Sequence, residues 1–348
     1  MSEIVLSVII PAYNVEKYIV ECVDSLLTQI SAPDEIIIIN DGSTDDTLQL
    51  AQRHYAHLPQ VKIVTIPNGG LGNARDTGIA AAKGEFIFFC DPDDIVAEGF
   101  FSELQEVAKK HPDVDLFCFN SCTFEDGDSQ KTQPKVRHDR FGLHEPQKVF
   151  SSLLRNGSYT SAVWNYALKK SVIDQHHLRF VKRLHEDHHF TMAAFFKCQR
   201  AWVSKTTYYK QRIRSGSLTN SQKGDDFFYQ RYDAFINAWH VLITSVKKGA
   251  WRSELQKDYL LHSFRLMVFL SLYNKTPVPE YVLNAIRVLG RDVKAANFKE
   301  WLILNSPELY IRVQNYRALK EMNGVKTFRK AGGKVARTSQ TYENTFQK

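Results

Sequence analysis

The chain reads as a doubly wound α/β domain followed by a helical region, and two observations carry that reading. From Leu6 to Asn120, short apolar runs of strand length alternate with amphipathic helical segments. This is the rhythm of parallel strands joined by right-handed crossovers. Near residue 224 the rhythm stops, and only helical spacing recurs beyond it. At 348 residues, 43% hydrophobic and 12% aromatic, the chain can fill one large core and a smaller one.

Leu6–Pro11 is a predicted strand, and Asn14 is placed to cap a helix whose apolar positions Val15, Ile19, Cys22, Val23, Leu26 and Leu27 share one face. Glu35–Asn40, with four consecutive Ile, reads as a strand covered on both faces. The turn DGSTDDT follows, with Ser43 or Thr44 as the expected cap of the next helix. Val61–Ile66, Phe86–Cys90 and Val114–Asn120 read as further strands, and Leu71–Ala82 and Phe100–Lys110 as helices. Glu125–Arg140 is polar and charged, and we expect a long surface loop there. Glu145–Leu154, Lys170–His176 and Asp187–Phe196 look helical, and Trp202–Arg212 alternates as a strand does. Asp225–Lys248 and Ser253–Tyr273 lead a series of helices with apolar stripes such as Phe228, Tyr232, Phe235, Trp239 and Leu242. Such stripes are expected to be core. Gly324–Lys348 holds six Lys or Arg against one acid and reads as a mobile basic tail.

A formal charge of +7 and a pI near 9.0 favour anionic partners. A basic nucleic-acid-binding protein is the alternative this charge offers, but the Lys and Arg are scattered and accompany no nucleic-acid-binding signature, so no nucleic acid partner is expected. Five cysteines without a disulfide-like framework point to a reducing compartment. The start lacks the basic region and cleavage site of a signal peptide, and no uncharged run reaches the ~18 residues of a membrane span. The expected setting is cytoplasmic, at most peripheral to a membrane.

FIFFCDPDD, Phe86–Asp94, is an apolar strand that ends in three carboxylates. In an open α/β sheet ligands bind outside the carboxyl ends of strands. Clustered carboxylates repel unless a cation joins them, and hard divalent ions such as Mg²⁺ or Mn²⁺ take oxygen ligands. Three further turns, PAYN at Pro11–Asn14, NDGSTDDT at Asn40–Thr47 and NGGLGNARDTG at Asn68–Gly78, each follow a predicted strand and open a helix. All four therefore converge on one sheet edge.

In order and spacing this set resembles the family-2 glycosyltransferases, inverting enzymes of the GT-A fold that use nucleotide sugars; the match covers roughly the first 215 residues. The resemblance implies that Pro11 and Tyr13 of PAYN meet the nucleotide, with Tyr13 stacked on a base, usually uracil. It implies that Asp41 accepts a hydrogen bond from the base and that Arg75 lies near the diphosphate. Asp76 stands where the family has Asn. Asp91 would face ribose and metal and Asp93 would hold the Mn²⁺ or Mg²⁺, with Asp94 behind them. In RIRSGS, Arg214 and Ser217 would bind diphosphate oxygens. In LHEDHHF the resemblance makes Asp187 the base and Glu186 its neighbour. Tyr166 replaces a Lys that the family often carries after Trp164.

Alternatives from other classes compete with this reading. His185, Glu186 and His189 also spell H-E-x-x-H, a zinc metallohydrolase pattern when it lies on a helix. Gly70, Gly72 and Arg75 lack the third glycine of a dinucleotide fingerprint, and no G-K-[ST] of a P-loop is present. The expected division is 1–223 for the GT-A domain (1–124 nucleotide-binding, 125–223 acceptor), 224–323 for a helical appendage and 324–348 for the tail. The expected partners are a UDP-sugar and a glycan or lipid-linked glycan acceptor. The appendage is read as a bundle or homo-oligomer interface, and secondarily as a membrane contact through Trp239, Trp251, Phe264 and the basic stretch Lys326–Arg337.

Overall fold

The computed structural model describes residues 6–181, 185–214 and 226–330, with side chains as far as Lys320. Its first half follows the predicted alternation: β1 (Leu6–Ala12), α1 (Ile19–Leu27), β2 (Glu35–Asp41), α2 (Thr47–Tyr55), β3 (Val61–Ile66), α3 (Leu71–Ala81) and β4 (Phe86–Phe89). Strands β3, β2, β1 and β4 lie side by side and parallel, with Ile9 opposite both Ile37 and Phe89. Ile36–Ile39 are fully buried, as a strand covered on both faces requires. Each such side chain stabilises the fold by about 1.5–3 kcal/mol.

Two expected caps are replaced by ties between turns. Asn14 adopts a left-handed conformation (φ 51°), and its side chain accepts from the Thr44 N–H (2.8 Å) instead of capping α1. Ser43 Oγ likewise accepts from the Asn14 N–H (3.2 Å), while α2 starts later, at Thr47. The polar side chains of the first two turns thus lock those turns to each other.

Beyond β4 the order becomes mixed: β5 (Ile95–Val96), α4 (Phe100–Lys110), β6 (Leu116–Glu125), β7 (Asp128–Val136), β8 (Gly142–His144), α5 (Pro146–Arg155), β9 (Tyr166–Lys169), α6 (Lys170–Gln175), α7 (Asp187–Lys197) and β10 (Ala201–Ile213). β9 inserts antiparallel between β4 and β6, and β10 continues parallel to β6. Four residues are too few for a period, which is why β9 was not legible. The expected loop at Glu125–Arg140 is instead mostly β7, paired antiparallel with β6. Its residues 128–134 are exposed or half-exposed on both faces, so a peripheral strand carries no apolar alternation.

Gly78 on α3 lets that helix lie against β1. A Cβ there would meet Ile9 Cγ2 at 2.3 Å. Gly78→Ala is therefore expected to lower stability by about 1–3 kcal/mol despite the better helix propensity of Ala, read as a lower urea midpoint at unchanged m.

The chain divides into two compact units, Met1–Ser221 with His240–Ser245, and Gln222–Trp239 with Val246–Lys348. The helices following the sheet are α8 (Phe227–Ser245), α9 (Ala250–Asn274), α10 (Glu280–Leu289), α11 (Phe298–Asn305) and α12 (Pro307–Lys330). Inside the second unit the ring of Phe235 stacks on Tyr259 (5.6 Å), and Phe264 meets Tyr310 (6.1 Å). Trp239 and Phe264 are buried and Trp251 is half-buried, so the first two serve as core and are not available to enter a membrane. Helix α12 reaches Lys330, within the expected tail; residues 331–348 lie outside the described residues. Among the described residues no helix is long and apolar enough to cross a membrane.

Candidate active site

The predicted residues gather where β1, β2 and β4 end. Pro11 is buried near the end of β1, and Tyr13 just past it is 49% exposed, an aromatic face open to solvent. Asp41 ends β2, and its two oxygens accept from the N–H groups of Gly69 (2.8 Å) and Gly70 (2.9 Å). Its carboxylate therefore orders the loop from which α3 starts, and α3 carries Arg75.

Arg75 is the hub. The residue is 3% exposed, and its guanidinium forks between two acids, Nη2 to Asp91 Oδ1 (2.9 Å) and Nη1 to Glu186 Oε1 (2.6 Å). It also lies over the Phe180 ring (5.4 Å). Gly72 permits this approach, since a Cβ there would come within 3.0 Å of the Val181 carbonyl oxygen and 3.4 Å of Glu186. Asp76, the departure from the family pattern, accepts from the Phe180 N–H (3.1 Å) and so fastens the same segment. Burial raises the Glu186 carboxyl to about 7; Arg75 pulls it down and Asp187 pushes it up. Asp91 is likewise raised by burial against the pull of Arg75, with Asp93 adding to the rise.

The acidic turn is held from behind by β10. Tyr209 donates to Asp94 Oδ2 (2.7 Å), accepts from the Asp91 N–H (3.0 Å) and stacks on Trp164 at 4.5 Å. The Arg212 N–H donates to Asp94 Oδ1 (2.7 Å), and its Nε donates to the Asp93 carbonyl (2.7 Å). Asp94 is buried, and burial with Asp93 and Asp91 nearby pushes its carboxyl well up. Arg214 Nε meets Asp93 Oδ2 at 2.7 Å. Tyr209, Arg212 and Phe180 were not singled out from the sequence, where they are ordinary members of a strand and a loop. Ser217 lies outside the described residues.

Asp187 opens α7, half-buried, and its Oδ2 accepts from Ser161 Oγ (3.2 Å). Its Oδ1 has no hydrogen bond among the described residues, whereas Glu186 is occupied by Arg75. Tyr166, in place of the family's Lys, is buried with its hydroxyl at Thr191 Oγ1 (2.9 Å). The zinc pattern is not built as a helical motif: α7 begins at Asp187, and His185 precedes it in a left-handed conformation (φ 62°). Among the described residues no three His, Cys, Asp or Glu side chains gather as a metal-holding group.

Asp91 and Asp93 are the carboxylates here whose chemistry suits a hard cation. Each gives one oxygen to an arginine and has its other oxygen without a hydrogen bond among the described residues. The Arg212 guanidinium is spent on Glu21 (2.5 Å), Asp126 (2.8 Å) and the Asp93 carbonyl, so among the described residues Asp91 and Asp93 each meet one arginine only, Arg75 and Arg214.

Comparison with known proteins gives this geometry a family. Residues 7–190 match the family model described as glycosyl transferase family 2. The chain is 31% identical over 242 residues to the Bacillus subtilis protein named uncharacterized glycosyltransferase EpsJ, covering 66% of this chain and 68% of that one. It is 30% identical over 267 residues to the putative glycosyltransferase EpsH of the same organism, covering 74% and 75%. Over 91 residues it is 45% identical to Escherichia coli chondroitin synthase, covering 26% of this chain and 13% of that one. The fold matches the crystal structure of S. aureus TarS 1-349 in complex with UDP-GlcNAc, with a TM-score of 0.69, 21% identity, and 95% and 93% of the two chains covered. The expected GT-A fold followed by helices is thus borne out, and the chain belongs to glycosyl transferase family 2 as a glycosyltransferase.

Proposed function

We propose that this glycosyltransferase is an inverting, metal-dependent enzyme. It moves a hexose or N-acetylhexosamine from a UDP-sugar to a hydroxyl of a glycan or lipid-linked glycan, in bacterial surface-polysaccharide assembly. The observation that carries the reading is the Arg75 fork, which ties the acidic turn after β4 to the acid pair at the start of α7. A donor diphosphate at the first and an acceptor hydroxyl at the second would then meet across one buried cation. Supporting the donor class, TarS has been crystallised with UDP-GlcNAc, and relatives over shorter stretches are named chondroitin and hyaluronan synthases.

In this reading Tyr13 stacks on uracil and Asp41 orients its N–H edge. Arg75 and Arg214 face the diphosphate and stabilise the charge that grows as the bond to the sugar breaks. Asp187 takes the proton of the acceptor hydroxyl, which attacks from the face opposite the leaving UDP. Asp93 and Asp91 would hold Mn²⁺ or Mg²⁺, which when bound neutralises diphosphate charge. The reaction would take place at the cytoplasmic face of the membrane that carries the acceptor.

A screen of nucleotide sugars by thermal shift and by nucleotide release tests the donor. UDP-sugars are expected to stabilise the protein and be turned over; protection by RNA alone would overturn the reading. Chelation is expected to abolish transfer, with Mn²⁺ or Mg²⁺ restoring it, and Asp93→Asn should lose that response while keeping its fold. Full transfer in chelator would remove the metal from the proposal.

A further inference from the structure

A chain of hydroxyls runs from the core to the acid that opens α7. The Thr191 hydroxyl donates its single proton to the Ser161 carbonyl, so the Tyr166 hydroxyl, 2.9 Å from Thr191 Oγ1, must be the donor of that pair. Tyr166 is buried, and burial pushes its hydroxyl up, so it stays protonated and able to donate. The same segment is gripped from its other side. Asn165 Nδ2 donates to the Ala162 carbonyl (3.2 Å), and Ser121 Oγ of β6 donates to Asn165 Oδ1 (3.2 Å). Residues 158–162 carry no regular secondary structure, yet two successive carbonyls among them are held by side chains buried in the core.

Ser161 is thereby presented to α7 at two points. Its carbonyl meets Thr191 and its hydroxyl donates to Asp187 Oδ2 (3.2 Å), two residues that stand four apart and so share one face of the helix. The carbonyls need donors whatever the protein does, because a buried carbonyl left unpaired is costly. The Ser161 hydroxyl satisfies no backbone group; among the described residues its hydrogen bond is to Asp187 alone. A short acid in the first turn of a helix can fold back onto the free N–H groups of that turn. A donor on Oδ2 opposes this and leaves Oδ1 available. We propose that Ser161, held by Thr191 and Tyr166, is a positioning residue that fixes the Asp187 carboxylate in the orientation that receives the acceptor proton. The proposal rests on the reading of Asp187 as the base, and it gives a use to the hydroxyl of Tyr166, which stands in place of the family's Lys.

The test uses the full chain and follows UDP release from the UDP-sugar it turns over fastest, with water as the acceptor. Functional protein is counted by the calorimetric stoichiometry of UDP binding, so that a variant which folds poorly is not scored as slow. Per UDP-binding site, kcat is expected to fall about 10-fold in Ser161→Ala and in Thr191→Val, while KM for the UDP-sugar changes by less than about twofold. Thr191→Ser should stay within about threefold of the wild type. That contrast separates position from packing, since valine keeps the shape of threonine and serine keeps its hydroxyl. Adding Ser161→Ala to Thr191→Val, or to Asp187→Asn, should change kcat by less than about twofold further, because each pair acts through one carboxylate. Full activity per site in Ser161→Ala, or a Thr191→Ser slower than Thr191→Val, overturns the positioning role and leaves the base in place. An active Asp187→Asn removes the base itself, and the tether with it.

Discussion

Asp187→Asn is expected to reduce turnover by ~10²-fold or more while nucleotide affinity changes by less than about twofold. The substitution keeps shape and keeps an oxygen able to accept from Ser161, which lies 3.2 Å from Asp187 Oδ2. It removes only the proton acceptor. Loss of a carboxylate from the first turn of α7 costs about 0.3–1 kcal/mol of stability, too little to unfold the domain. Glu186 is a poor substitute base, because its Oε1 is committed to Arg75 at 2.6 Å and its side chain is buried. Nucleotide release with saturating donor and acceptor, together with calorimetric binding of UDP, separates chemistry from binding. An active Asp187→Asn beside a Glu186→Gln that binds nucleotide but does not turn over would reverse the two roles.

The sequence was most readable where chemistry and local structure coincide. PAYN, DGS, NARD and DPDD each fall where a strand turns into a following segment, so the strand period and the polar turn point to the same edge. What lay behind that edge was less readable. Asp94 carries no sign in its neighbours that Tyr209 and the Arg212 N–H will hold it, because those contacts span more than a hundred residues. The β9 insertion changed the order of the sheet through four residues, below the length at which a period can be seen. Asn14 illustrates a different limit. Its type suits a helix cap, yet the neighbouring turn offered its side chain a better-placed donor, and a local preference yielded to a tertiary bond.

Arg75→Met is expected to show the largest loss of stability, about 3–5 kcal/mol, because it leaves the buried Glu186 and the half-buried Asp91 without their cation. Glu186 and Asp91 both lie against Arg75, and Glu186 is 7% exposed. Methionine fills much of the stem but satisfies neither acid. The loss should depend on pH, and its sign follows from Glu186. Its carboxyl titrates at about 7 in the fold, above an ordinary value of 4.5. A raised carboxyl favours the fold below its unfolded value, and that contribution is lost as pH rises through the folded one. Removing Arg75 takes away the contact that lowers Glu186, so the group stays protonated to higher pH and the penalty for charging it grows. The difference between wild type and Arg75→Met should therefore be larger at pH 8 than at pH 5, read from urea midpoints at each pH. Adding Glu186→Gln to Arg75→Met should recover part of the stability at pH 8, since a neutral amide no longer needs the cation. A deficit that is the same at both pH values, with no recovery in the double variant, would mean that Arg75 supports the fold through its packing on Phe180 and not through its charge.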